Sequence, residues 1–256
     1  MKRILIVCLI AACMALSACT AATGGQDEDK GGVVMTDMVK RALELIGAAP
    51  ENIESGELRM SEKALADSAA YLETALAAKY PGVEFEMTAC VPCSFGQNQD
   101  EFVLQPAGMP EQEFTAHVVT GDEMKFTDSY YGILKRADYE AMIAGIIGDT
   151  EPAAQVISTI DYQFGVEWTA DKPIAEAAAE SGMFAYTWVL LSPDGNDFAQ
   201  RAAEIEKMIS GAGLRGDYSV YLMAEGAGSF DREAALAAIP EGEGTVYTEL
   251  ARFIVE

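Results

Sequence analysis

The strongest constraint on this chain's fold is the two-residue alternation of its apolar side chains. Ile160, Tyr162, Phe164, Val166 and Trp168 fall on one side of an extended segment, and Asp161, Gln163, Gly165 and Glu167 on the other. Successive side chains of a strand point to opposite faces, so this pattern places one face in a core and the other in water. Val83, Phe85 and Met87 alternate in the same way with Glu84, Glu86 and Thr88. Phe184, Tyr186, Trp188 and Leu190 form another row, expected to face a core, and Tyr218, Val220 and Leu222 a third. One-sided strands belong to antiparallel or mixed sheets, because the strands of a fully parallel sheet are apolar on both sides.

Helical spacing surrounds these strands. Thr36 can cap a helix carrying Val39, Ala42, Leu43 and Ile46, and Gly47 and Pro50 end it. Ser61 opens a second helix with Leu65, Ala69, Leu72 and Leu76 on one stripe, stopped at Pro81-Gly82. Glu101–Gln105 reads as a short strand, and Thr120-Gly121-Asp122 turns a hairpin between Phe114–Val119 and Glu123–Thr127. Tyr139, Met142, Ile143 and Ile146 mark a helix closed by Gly148. Phe198, Ala202, Ile205 and Ile209 mark another, opened by Asn196 or Asp197. The predicted class is α+β, with helices packed on one face of largely antiparallel or mixed sheets. Two similar lobes are conceivable, with a sub-boundary at 149–155, although no sequence repeat supports them.

The N-terminus has a different character. Met1-Lys2-Arg3 precedes an apolar run from Ile4 to Ala15, which is the form of a secretory signal peptide. The run falls short of the roughly 20 apolar residues that a membrane-spanning helix needs. Leu16-Ser17-Ala18-Cys19 follows at once and resembles the lipobox of bacterial lipoproteins. The resemblance covers only this segment. It implies cleavage after Ala18 and a diacylglyceryl group on the Cys19 thiol. Residues 1–18 are then the signal peptide and 19–32 a lipidated tether rich in Gly, Thr and acid. The compact region is 33–256. The partner implied is a membrane, held by lipid on Cys19 and facing outside the cytoplasm.

Charge narrows the function. Asp and Glu number 41 against 17 Lys and Arg, a formal net charge of −24, with half the residues hydrophobic. That apolar content excludes wholesale disorder, and the acidity argues against nucleic acid, whose phosphates need clustered bases. Removing Lys2 and Arg3 with the leader leaves 15 bases against 41 acids. Such a domain has little electrostatic reason to stay at a membrane without its lipid.

Cys8 and Cys13 leave with the leader, so the mature domain keeps Cys90 and Cys93, in Cys90-Val91-Pro92-Cys93. A Cys-x-x-Cys in an exported protein is either a disulfide pinching a loop or a redox dithiol. A strand beginning near Glu101 leaves no room for the helix that a thioredoxin-type site requires, which favours the disulfide. Two thiolates and one histidine, His117, do not make a metal site. His117 shares a strand face with Thr115 and Val119, an ordinary surface position. No Gly-x-Ser-x-Gly and no phosphate-binding Gly-rich loop occurs. Asp194-Gly195-Asn196-Asp197 is a turn and helix cap rather than a calcium loop. Asp27-Glu28-Asp29 is a solvated run. Trp168 and Trp188 belong to apolar rows and are expected in the core. Tyr130 and Tyr131 follow a hairpin and are the aromatics expected to form a contact surface.

No cofactor and no catalytic set is implied. The expectation is a membrane-anchored, non-enzymatic module that binds a protein or small molecule. The alternatives are a thiol-active lipoprotein using Cys90 and Cys93 and, third, a solute-binding component of a transporter.

Overall fold

A computed structural model describes residues 34–93, 98–121, 123–162, 168–180, 182–193, 197–225, 232–239 and 246–256. The leader, Cys19, the tether, residues 163–167 of the alternating Ile160-to-Trp168 segment and most of the Asp194–Asp197 turn lie outside the described residues.

The first half builds helices on a meander. Helix α1 (Asp37–Leu45) starts where the Thr36 hydroxyl accepts a hydrogen bond from the Val39 amide at 3.2 Å. It buries Val39, Ala42 and Leu43. A short α2 (Pro50–Ser55) follows. Helix α3 (Met60–Lys79) begins one residue before Ser61. Its cap is Arg59, whose amide donates to Glu62 Oε2 at 2.8 Å. Leu65, Ala69, Leu72 and Leu76 form its buried stripe. Tyr80 and Gly82, at φ 84°, turn the chain into the sheet.

That sheet is an antiparallel meander of β1 (Phe85–Val91), β2 (Gln99–Pro106), β3 (Phe114–Val119) and β4 (Lys125–Asp128), in that order. Met87, Phe102, Leu104, Phe114, Ala116 and Val118 form one core with α1 and α3. Each large apolar side chain buried there contributes about 1.5–3 kcal/mol. Asp100 sits on the core face of β2. Its carboxylate accepts from Ser68 Oγ at 2.6 Å and from the Cys93 amide at 2.7 Å, which offsets its desolvation.

The second half is mixed. Helices α4 (Tyr130–Leu134) and α5 (Arg136–Ile147) lead to β5 (Gln155–Tyr162). Then come α6 (Ile174–Ala178), β6 (Met183–Leu191), α7 (Phe198–Gly211), β7 (Gly216–Met223), α8 (Arg232–Ala238) and β8 (Tyr247–Val255). The sheet runs β5-β6-β7-β8, with β6 and β7 parallel and the outer pairs antiparallel. Helix α7 supplies the crossover that a parallel pair requires. Asp197 caps it, accepting from the Ala199 amide at 2.9 Å.

Helices α5 and α7 pack on one face of this sheet through Tyr139, Ile143, Ile147, Ile205 and Ile209. Helix α8 packs on the opposite face, where Ala235 meets Ile157, Leu190 and Tyr221. A buried ion pair ties the connection before β5 to α7. Arg201 donates from Nε and Nη2 to the two Glu151 oxygens, at 2.7 Å each, and from Nη1 to Ser192 O at 3.0 Å.

The fold is thus α+β, with two four-stranded sheets. Residues 33–256 form one compact unit. Its two large cores divide between Tyr130 and Tyr131 rather than at 149–155, because α5 packs with the second sheet.

On β6 the expected row is buried only toward its C-terminal end, where Leu190 lies in the core under α8 and Trp188 packs against it, and the opposite row is the more fully buried one. Met183, Ala185, Thr187, Val189 and Leu191 point into the core, while Phe184 and Trp188 are half-buried and Tyr186 is 44% exposed. Here β6 is an inner strand whose two faces both carry apolar residues, so alternation alone does not identify the more fully buried one.

Candidate functional site

Tyr130 and Tyr131 are not a contact surface. Both are buried, at 4% and 0% exposure. They are consecutive on α4, where neighbouring side chains diverge by about 100°. Each therefore enters a different core. The Tyr130 ring lies 4.9–5.0 Å from those of Tyr80, Phe85 and Phe114. Tyr131 lies 5.2 Å from the Trp168 ring and donates its hydroxyl proton to Lys172 O at 3.0 Å. Burial pushes the Tyr131 phenol up to about 12, helped by Asp138, Glu180 and Glu176.

The expected disulfide is not formed. Cys90 is a thiol within β1, still paired with Phe102 across the sheet. Its Sγ lies 3.5 Å from Ala42 O of α1. Asp100 meanwhile holds the Cys93 backbone, and the Cys93 side chain is exposed. Burial pushes the Cys90 thiol up to about 11, and the Asp100 carboxylate adds to this. A thiol so raised is a poor nucleophile at neutral pH. His117 stands on the outer face of β3, with Nδ1 3.9 Å from Glu101 Oε2 on the neighbouring strand. Trp168 is buried, with Nε1 donating to Glu180 Oε2 at 2.6 Å. Among the described residues no three His, Cys, Asp or Glu side chains gather as a metal site. No described helix is long and apolar enough to cross a membrane.

The structure assembles a cleft where the sequence showed none. Gly132 lets α4 lie against β5, since a Cβ there would stand 2.6 Å from Ile160 O. Ile133 and Arg136 then line one space with Thr159 and Asp161. Tyr186 adds an exposed ring from β6, and Arg232 enters from the start of α8. Glu111 and Glu113, which precede β3, line the same space. The space is about 360 Å³ and open to solvent, at the small end of the range for small-molecule sites.

Two guanidinium groups face this cleft in a chain dominated by acids. Arg232 is anchored. Its Nη1 donates to Glu140 Oε1 at 2.7 Å, and its Nη2 to Ser158 O and, at 3.4 Å, to Thr159 Oγ1. Burial lowers its pKa, and the nearby charge of Arg136 lowers it further, against the pull of Glu140. Arg136 has no such partner. Arg41, Arg59, Arg201, Arg232 and Arg252 each hold a carboxylate within 4 Å. Arg136 holds none among the described residues. It also occupies the first position of α5, where the positive end of the helix dipole disfavours a cation.

Arg136, Arg232 and Tyr186 were not singled out from the sequence. The usable signal was the scarcity of bases: an Arg directly after Lys135 at the start of a helix is conspicuous among 41 acids.

No protein-family model matches the chain, and neither does any curated protein. Among solved structures it is similar to a DUF5037 family protein from Ruminococcus gnavus, at 17% identity and a TM-score of 0.38. The match covers 71% of this chain and 87% of that one.

Proposed function

We propose that this chain is a lipid-anchored extracytoplasmic binding module, held outside the cytoplasm through Cys19, which captures a small ligand in the Arg136 cleft without chemical conversion. The leader and lipobox support the location. The observation that carries the binding role is the Arg136 guanidinium. It faces an open 360 Å³ space without a carboxylate partner among the described residues, in a protein of net charge −24. A buried or half-buried charge is ordinarily matched, and a ligand supplies the missing partner here.

The test is a binding screen of the full chain in detergent against mixed anionic, zwitterionic and neutral small molecules, read by thermal shift. The expected result is at least one stabilising compound whose effect disappears in Arg136→Ala, while the melting temperature of that variant without ligand does not fall. A screen with no stabilising compound, or with hits indifferent to Arg136→Ala, overturns the binding role.

A further inference from the structure

The cleft carries charge of both signs. Arg136 and Arg232 supply the positive side; Glu111, Glu113 and Asp161 line the same space. A ligand that is only anionic meets these three carboxylates, and one that is only cationic meets the two guanidinium groups. A polyanion is disfavoured further. Both Nη atoms of Arg232 already donate within the protein, so Arg136 is the one cleft guanidinium whose fork is open to a ligand. A planar guanidinium fork matches a single carboxylate in bidentate geometry. The same lining includes an exposed Tyr186 ring and the half-buried Ile133, which suit a short apolar or amide body.

We infer that the cleft binds a small zwitterion of the amino-acid or short-peptide class, its carboxylate on Arg136 and its ammonium toward the carboxylates that line the same space. This rests on the reading of the cleft as a ligand site. Trialanine fills the chemical requirements and serves as the probe. Its two ends can be blocked separately, as N-acetyl-trialanine and as trialanine amide.

Calorimetric titration of the full chain in detergent reads the outcome. Trialanine binds the wild type, and blocking either end weakens binding by about tenfold or more, the effect of losing one charge-assisted pair. In Arg136→Ala, trialanine and trialanine amide bind equally, because the group that distinguishes them is gone. Arg136→Lys keeps the charge without the fork and falls between the two. Equal or tighter binding of N-acetyl-trialanine or inorganic phosphate overturns the zwitterion assignment but leaves the binding role standing, provided that binding depends on Arg136. Absence of trialanine binding also overturns the assignment, whereas the binding role then stands or falls on the wider screen.

Discussion

Replacing Arg201 with Ala isolates a buried charge. In the folded chain Arg201 and Glu151 are 6% and 8% exposed and joined by two 2.7 Å bonds, with a third bond from Arg201 to Ser192 O. Truncating Arg201 leaves the Glu151 carboxylate in place without its countercharge, and such losses cost about 3–5 kcal/mol. Total domain stability is about 5–15 kcal/mol, so a large part of it goes. In a domain of this length each kcal/mol moves the melting temperature by about 2–4 °C, which predicts a fall of about 6–20 °C.

The double variant Arg201→Met with Glu151→Leu removes both charges and keeps apolar volume, so it recovers most of the loss. Thermal unfolding by circular dichroism, with urea titration for the free energy, measures both variants. A loss below about 1 kcal/mol for Arg201→Ala refutes the reasoning, since that is the size of an exposed pair. So does a double variant no more stable than the single.

Two further predictions concern particular atoms. Gly132→Ala places a methyl group 2.6 Å from Ile160 O, forces α4 off β5 at a cost of about 1–3 kcal/mol, and weakens any ligand held by the cleft; unaltered stability in urea would show that the close approach is not required. Cys90 has its thiol raised from 9.0 to about 11. At pH 8 the folded protein should therefore alkylate at Cys90 about a hundredfold more slowly than the urea-unfolded chain, the rate rising with pH toward 11. Exposed Cys93 should react first, and peptide mapping that finds Cys90 modified as fast as Cys93 would contradict the burial.

Much of the fold could be read from periodicity, and the exceptions have physical causes. The Thr36 cap, the Leu65 to Leu76 stripe and the hairpin joining β3 to β4 are local patterns, set by spacings within one or two turns. The facing of β6 was not local. Phe184, Tyr186 and Trp188 look like a core row by size, yet the smaller Ala185, Val189 and Leu191 face α5 and α7. How far each face is buried depends on where the helices land, since α8 also covers Leu190 and Trp188 on the other side.

Tyr130-Tyr131 looked like an exposed pair because the cores on either side of it are built from segments far apart in sequence. The cleft is the extreme case. Arg136, Tyr186 and Arg232 come from three elements and meet through the packing of α4 on β5 and the return of α8. That Arg136 has no carboxylate partner among the described residues is a property of the folded surroundings, so no spacing encodes it.

Anchoring outside the cytoplasm is the premise on which the proposed role stands, and intact-mass spectrometry of the protein extracted from membranes tests it most directly. The expected species is a chain beginning at Cys19, heavier than residues 19–256 by a diacylglyceryl group, with loss of that mass and of membrane retention in Cys19→Ala. A membrane-extracted chain that keeps residues 1–18, or begins at Cys19 without added lipid, would contradict it.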